Sequence, residues 1–185
     1  MKNAKLAARY AKALFDLALE NQKDEVVHKN LFDVDATITK SRELSVVINS
    51  PVINDDKKIA VINAVFTGNI DDLTIKFLIL IVKKNRELFI REITEAYNEL
   101  FLAHHNITKV TVSSAIALND ELKNRIIKLV EKDTNSTVEL HEEINADLIG
   151  GIVLAYDNKQ FDASIQNRLK ELRNDYNINQ YVGKY

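Results

Sequence analysis

The sequence predicts an α + (α+β) chain: an N-terminal six-helix bundle followed by a small α+β domain with a short three-stranded sheet. Three observations carry that prediction. One proline, four glycines and no tryptophan in 185 residues leave few turn formers and favour long helices. From Ala4 to about His104, apolar residues recur at the helical period of about 3.6 residues. After His104, His105 and Asn106 the period shortens to two in KVTVS, Lys109 to Ser113, the alternation of a half-buried strand. The expected boundaries are 1–105 for the bundle, 106–178 for the α+β domain and 179–185 for a tail.

The first helix, LAARYAKALFDLA from Leu6 to Ala18, has two apolar faces. At about 100° per residue, Leu6, Tyr10, Ala13 and Leu17 share one stripe, and Ala7, Ala11, Leu14, Phe15 and Ala18 spread over the next. A surface helix buries an arc of about 100°. The surplus here needs either full enclosure or a second helix docking from outside. Val26, Leu31, Val34 and Ile38 continue the helical period, and Leu44, Val46, Val47 and Ile48 form a short third helix ended at Pro51. Asn54, Asp55 and Asp56 supply a cap and acidic first turn for a fourth helix through Ile59, Ile62 and Val65. Thr67, Gly68 and Asn69 break the chain before Asp71 and Asp72 open a fifth. Its centre, FLILIV from Phe77 to Val82, is apolar all round, as in a helix buried on every side or offering a face to a partner. Asn85 is expected to cap a sixth helix with Leu88, Ile93, Tyr97 and Leu100 as its core stripe.

In the second domain Asn119, Asp120 and Glu121 cap a helix with Leu122, Ile126, Leu129 and Val130 on one face. Val138 and Leu140 alternate with Glu139 and His141 as a second strand, and Ile149 to Tyr156 is a third, continuous enough to lie centrally. Asp157 and Asn158 are turn residues. A last helix starts near Ser164, with Ile165, Leu169, Leu172 and Tyr176 along one stripe.

Composition excludes several function classes. Without cysteine there is no disulfide, thiolate nucleophile or thiolate metal site. A net charge of −2 argues against nucleic acid as partner, and basic residues read along the chain are scattered among acids rather than gathered into a patch. Lys2, Lys5, Arg9 and Lys12 interrupt any signal-peptide core, and no apolar run approaches the roughly 20 residues of a membrane span. The expectation is a soluble chain with no direct membrane insertion, held at any membrane by another protein.

Catalytic constellations are not apparent. His104 and His105, being adjacent, point about 100° apart on a helix, and His141 beside Glu142 and Glu143 is not an HExxH site. Ser113 and Ser114 lack a nucleophile elbow. Gly150 and Gly151 match no phosphate loop and instead mark a bulge or a close backbone approach. The chain is read as no enzyme, with no cofactor, no metal and no small-molecule substrate.

LAARYAKALFDLA, KKNREL (Lys83 to Leu88) and KVTVSSAIALND (Lys109 to Asp120) resemble segments of the delta subunit of bacterial F-type ATP synthase, the oligomycin sensitivity-conferring protein family. INADLIGGIVL, Ile144 to Leu154, followed by FDASIQNRLKEL, Phe161 to Leu172, is the most specific pair, and the likeness covers nearly the whole chain. Ala155, Asp157 and Ala163 depart from the family's habit near that hairpin. The resemblance implies a non-catalytic stator subunit, linking the catalytic head to the peripheral stalk and resisting rotor torque during proton-driven ATP synthesis. It implies a peripheral place on the cytoplasmic face of the bacterial inner membrane. A groove between the first and fifth helices would take the N-terminal helix of an alpha subunit, through Tyr10, Ala13, Leu17, Leu78, Ile81 and Val82. The α+β domain would grip the b subunits of the stalk. An unrelated helical adaptor is the alternative, which explains the bundle but not the paired C-terminal segments.

Overall fold

The structure is a computed structural model that describes residues 2–157 and 159–177, with side chains for residues 4–157 and 159–174. The expected tail and Asn158 lie outside the described residues. The chain forms two compact units that meet between His104 and His105.

The first unit contains α1 (Lys2–Glu20), α2 (Asp24–Lys40), α3 (Arg42–Asn49), α4 (Asp55–Phe66), α5 (Asp72–Lys83), a 3₁₀ turn (Glu87–Phe89) and α6 (Ile90–His104). Helix α6 packs against both α1 and α2, while α5 packs against α4 and α2. Tyr97 of α6 is fully buried, meets Phe15 edge-on at 5.4 Å between ring centroids and donates its hydroxyl to the Asp24 carbonyl at 3.1 Å. Burial, with Asp24 nearby, pushes the Tyr97 phenol above its ordinary range.

The C-terminal ends of α1 and α5 are closed by turns that need no glycine. At the end of α1, Gln22 adopts a left-handed φ of 55°, Lys23 N–H donates to the Ala18 carbonyl and Gln22 N–H to the Leu19 carbonyl. Asn85 does the same at the end of α5, at φ 54°, with Arg86 N–H on Ile81 and Asn85 N–H on Val82. This is the Schellman pattern. Asn85 therefore ends the fifth helix, and the sixth begins only after the 3₁₀ turn; Leu88, expected in its core stripe, is exposed. In that turn Glu87 forms a buried ion pair with Lys58 of α4. Each charge is tolerated in the interior because the other compensates it.

The second unit contains β1 (Ile107–Ser114), α7 (Asp120–Thr134), β2 (Thr137–Ile144), β3 (Ile152–Tyr156), β4 (Lys159–Asp162) and α8 (Ile165–Asn177). The sheet has four strands in the order β2-β1-β3-β4, not three. β1 runs parallel to β2, with Ile107 opposite Thr137, and antiparallel to β3, with Thr111 opposite Ala155. The missed strand, β4, pairs Lys159 with Tyr156 across a hairpin. Its KQFD sequence carries no apolar alternation, and all four side chains are exposed, so the backbone ladder alone defines it.

Val110, Val112, Ile126, Val130 and Leu154 form the core of this unit, with α7 covering the sheet. Leu122 and Leu129, expected on the same helix face, are exposed, because the i, i+4 pair Ile126 and Val130 already fills the contact with a narrow sheet. Glu142 clamps the loop before α7, accepting from Leu118 N–H at 2.6 Å and pairing with Lys123 at 2.7 Å. Lys123, then the Leu118 amide, holds the Glu142 carboxyl below its ordinary range. A depressed carboxyl contributes stability above its unfolded pKa and loses it as pH falls through the folded value. Glu142→Gln should therefore lower the melting temperature of the second unit at pH 7. The gap to wild type should close as pH drops below the ordinary glutamate range, measured by thermal melts across pH.

Candidate functional site

The two-faced helix α1 sorts its stripes cleanly. Ala7, Ala11, Leu14, Phe15 and Ala18 are all buried, whereas Ala13 is exposed, Tyr10 half-buried and Leu17 47% exposed. On α5, Leu73, Phe77 and Leu80 follow i, i+4, i+7 spacing on the outward side, with Leu80 44% exposed. Because α1 rests on α6 and α5 on α4 and α2, these two faces border a groove of about 720 Å³. Leu14 and Phe77 lie deepest, and Tyr10, Ala13, Leu17, Leu73 and Leu80 line it with Lys76.

One end of the groove is fixed by charge. Lys23 donates to Asp71 at 2.6 Å, and the same Asp71 caps α5 by accepting from Leu73 N–H at 3.0 Å. Lys23, then the Leu73 amide, holds the Asp71 carboxyl below its usual range. At the other end a second recess of about 370 Å³, lined by Leu6, Arg9, Tyr10, Ala13 and Arg86, shares Tyr10 and Ala13 with the first. The Asn85 turn delivers Arg86 to that recess. Together they form a long apolar trough of the kind that seats an amphipathic helix.

The structure brings Tyr10, Ala13 and Leu17 to this groove, as the sequence expects. It does not bring Leu78, Ile81 and Val82, which are 1%, 0% and 0% exposed and lie in the core of the bundle. The run Phe77 to Val82, apolar all round, does not mark the outward face by itself; Asp72, Lys76 and Lys83 outside it do. Leu73, Phe77 and Leu80 take their place. A helical wheel centred on the polar residue Lys76 would have found them. The histidines lie elsewhere: His28 stacks on Phe101 at 4.1 Å with Asn98 at 2.8 Å, His104 meets Phe15, and His141 is exposed on β2.

In the second unit, the paired glycines make a close approach. Ile165 N–H donates to the Gly150 carbonyl and Ala163 N–H to Ile152, each at 2.9 Å, which joins the start of α8 to the start of β3. Ser164, itself buried, caps α8 by accepting from Asn167 N–H at 3.1 Å, and Asp162 accepts from Ser164 N–H at 2.9 Å. Beyond that anchor, Ile165, Leu169 and Leu172 are 45%, 55% and 53% exposed, and Phe161, Ile144 and Ile149 are exposed as well. Ser164→Ala should destabilise α8 by about 1 kcal/mol, the usual worth of a serine cap. Faster amide exchange in the first turn of α8, with α7 unchanged, is the expected readout.

A family model described as ATP synthase delta (OSCP) subunit matches residues 6–175. The chain belongs to that family. Curated relatives named ATP synthase subunit delta agree over nearly the full length. The one from Cytophaga hutchinsonii is 31% identical over 176 residues, 95% of this chain and 96% of the relative. The one from Salinibacter ruber is 32% identical, covering 93% and 90%, and that from Synechocystis is 32% identical, covering 92% of each. In fold, the delta-family chain is similar to a chain of the cryo-EM structure of the Toxoplasma gondii mitochondrial ATP synthase hexamer. The TM-score is 0.73 at 19% identity, over 92% of this chain and 97% of that one. As a delta-family member the protein is a non-catalytic stator subunit that links the catalytic head to the peripheral stalk. It is peripheral in the complex, and no described helix is long and apolar enough to cross a membrane.

Proposed function

We propose that the groove between α1 and α5 receives the N-terminal amphipathic helix of one alpha subunit of the catalytic head. The second unit, through the exposed apolar side chains of α8 and its neighbours, grips the b subunits of the peripheral stalk. On this reading the helical unit works as a socket and the α+β unit as a clamp. The two hold the head still against rotor torque on the cytoplasmic face of the bacterial inner membrane. The observation that carries the reading is the exposure of Leu17 and Leu80 on opposite walls of an apolar groove. Water-exposed leucines in a concavity gain about 25 cal/mol for each Å² they bury against a partner. Calorimetric titration of the full chain with a synthetic peptide from the N-terminus of the same organism's alpha subunit tests it. One peptide per chain is expected; no binding by a folded chain would place the docking surface elsewhere.

A further inference from the structure

Away from the Lys23–Asp71 end, the charged residues lining the groove and its recess carry one sign. From Ala4 to Phe15 the charged residues are Lys5, Arg9 and Lys12; from Leu73 to Arg86 they are Lys76, Lys83, Lys84 and Arg86; neither stretch contains an acid. Of these, Arg9, Lys76 and Arg86 line the groove and its recess, a local excess of basic charge in a chain of net charge −2.

Arg9 and Arg86 stand out within that field because both line the recess with Leu6, Tyr10 and Ala13. Arg91 and Arg125 are each paired with a glutamate one turn away on their own helix. Arg9 and Arg86, though exposed, make no ion pair or side-chain hydrogen bond among the described residues. A free guanidinium beside apolar walls forms short, bidentate bonds to a carboxylate. At the opposite end of the groove the Lys23–Asp71 pair is already closed and Asp72 adds a carboxylate, so the field there is not basic.

We infer that Arg9 and Arg86 are specificity residues of the groove, which bind acidic side chains at one end of the docked helix and so fix which way it lies. The inference rests on the proposed docking of an alpha-subunit helix. Charges at an interface rim act chiefly on register, partner choice and salt dependence, whereas the apolar trough supplies the bulk of the burial.

The test is titration of the full chain with the alpha-subunit peptide at low and at physiological salt. Arg9→Glu/Arg86→Glu should bind about tenfold weaker or worse at low salt, with the loss shrinking as salt screens it. Arg9→Gln/Arg86→Gln, which introduces no new charge, should move the same way by a smaller factor. A peptide whose acidic residues at one end are changed to lysine should recover binding to the charge-reversed chain. If both variants bind the original peptide within twofold of wild type at either salt, the inference is overturned while the groove stands. If the wild-type chain itself does not bind, the docking proposal fails first. Pelleting of the wild type with phosphatidylserine vesicles, lost in the charge-reversed variant and unaffected by the peptide, would assign the arginines to lipid headgroups and overturn the inference too.

Discussion

Ala13→Trp is expected to abolish helix docking and leave the fold intact. Ala13 is exposed, and it is shared by both recesses of the groove, so it lies where a docked helix passes closest to α1. Helix axes pack about 8–10 Å apart, a spacing set by the side chains at the contact. An indole at that point fills the trough that the partner's apolar stripe must enter. The buried stripe of α1 runs through Ala7, Ala11, Phe15 and Ala18, away from Ala13, with Leu14 at the floor of the groove. A surface change of this kind usually shifts stability by no more than about 0.5 kcal/mol. Affinity for the alpha-subunit peptide should fall at least about 100-fold, roughly 2.7 kcal/mol, with an unchanged thermal melt. Ala11→Trp is the contrasting control: at 0% exposure the same indole overpacks the core and should lower the melt without a specific effect on the groove. Retention of binding within threefold in Ala13→Trp would remove Ala13 from the interface.

Why α1 is legible in the sequence and α5 is not follows from their compositions. In α1 the charged residues gather on one side and the two apolar stripes adjoin on the rest; alanines are frequent in the inward stripe, and Tyr10, Ala13 and Leu17 form the one next to the charges. In α5 the six residues Phe77 to Val82 are all apolar, so a window confined to them shows no polar side; the cue lies outside it, in Asp72, Lys76 and Lys83. The inward set Leu78, Ile81 and Val82 lies opposite those charges and is buried in the bundle. The basic field around the groove is illegible for a related reason. Its two halves are separated by α2, α3 and α4, and acids elsewhere cancel them in any count of the whole chain.

Turn chemistry misleads in a different way. Asparagine is both a good N-cap and a tolerant left-handed residue; the sequence pattern suggests the first use for Asn85, and the structure takes the second. The cue lies in Lys83 and Lys84 just before it, since basic residues complement the C-terminal end of a helix. In the second unit, the strands with apolar alternation, β1 and β2, are readable. β4 is not, because an edge strand with four exposed side chains is specified by its partner's backbone. The apolar stripe of α8 is readable as a stripe, but its period says nothing of whether the covering surface belongs to this chain or to another. The half-exposure of Ile165, Leu169 and Leu172 is what favours another.

Gly151→Ala should be the most damaging single-methyl change in the second unit. Gly151 has φ +86°, a region that costs an L-residue roughly 1–2 kcal/mol. A Cβ there would stand 2.4 Å from the Ala163 carbonyl oxygen and 2.8 Å from the Ser164 Cα. Both are backbone atoms, tied in place by the Ala163-to-Ile152 and Ile165-to-Gly150 hydrogen bonds, so no side-chain rotation relieves the clash. The chain must instead part at the junction of β3 and α8. Adding the lost hydrogen bonds, at about 1 kcal/mol each, gives a total on the order of 3–4 kcal/mol. A unit whose core rests on Val110, Val112, Ile126, Val130 and Leu154 has little more than that to lose. Gly150→Ala is the milder change, because its Cβ meets only the Ile165 Cδ1, at 2.9 Å, the movable end of a side chain. Hydrogen exchange of the full chain should show the β3 and α8 amides opening in Gly151→Ala while α1 and α6 keep wild-type protection. Docking of the alpha-subunit peptide should survive, whereas capture of a peptide from the C-terminal end of the peripheral stalk should be lost. Loss of both together would show that the two units do not act separately, and the division of the stator contacts between socket and clamp would have to be abandoned.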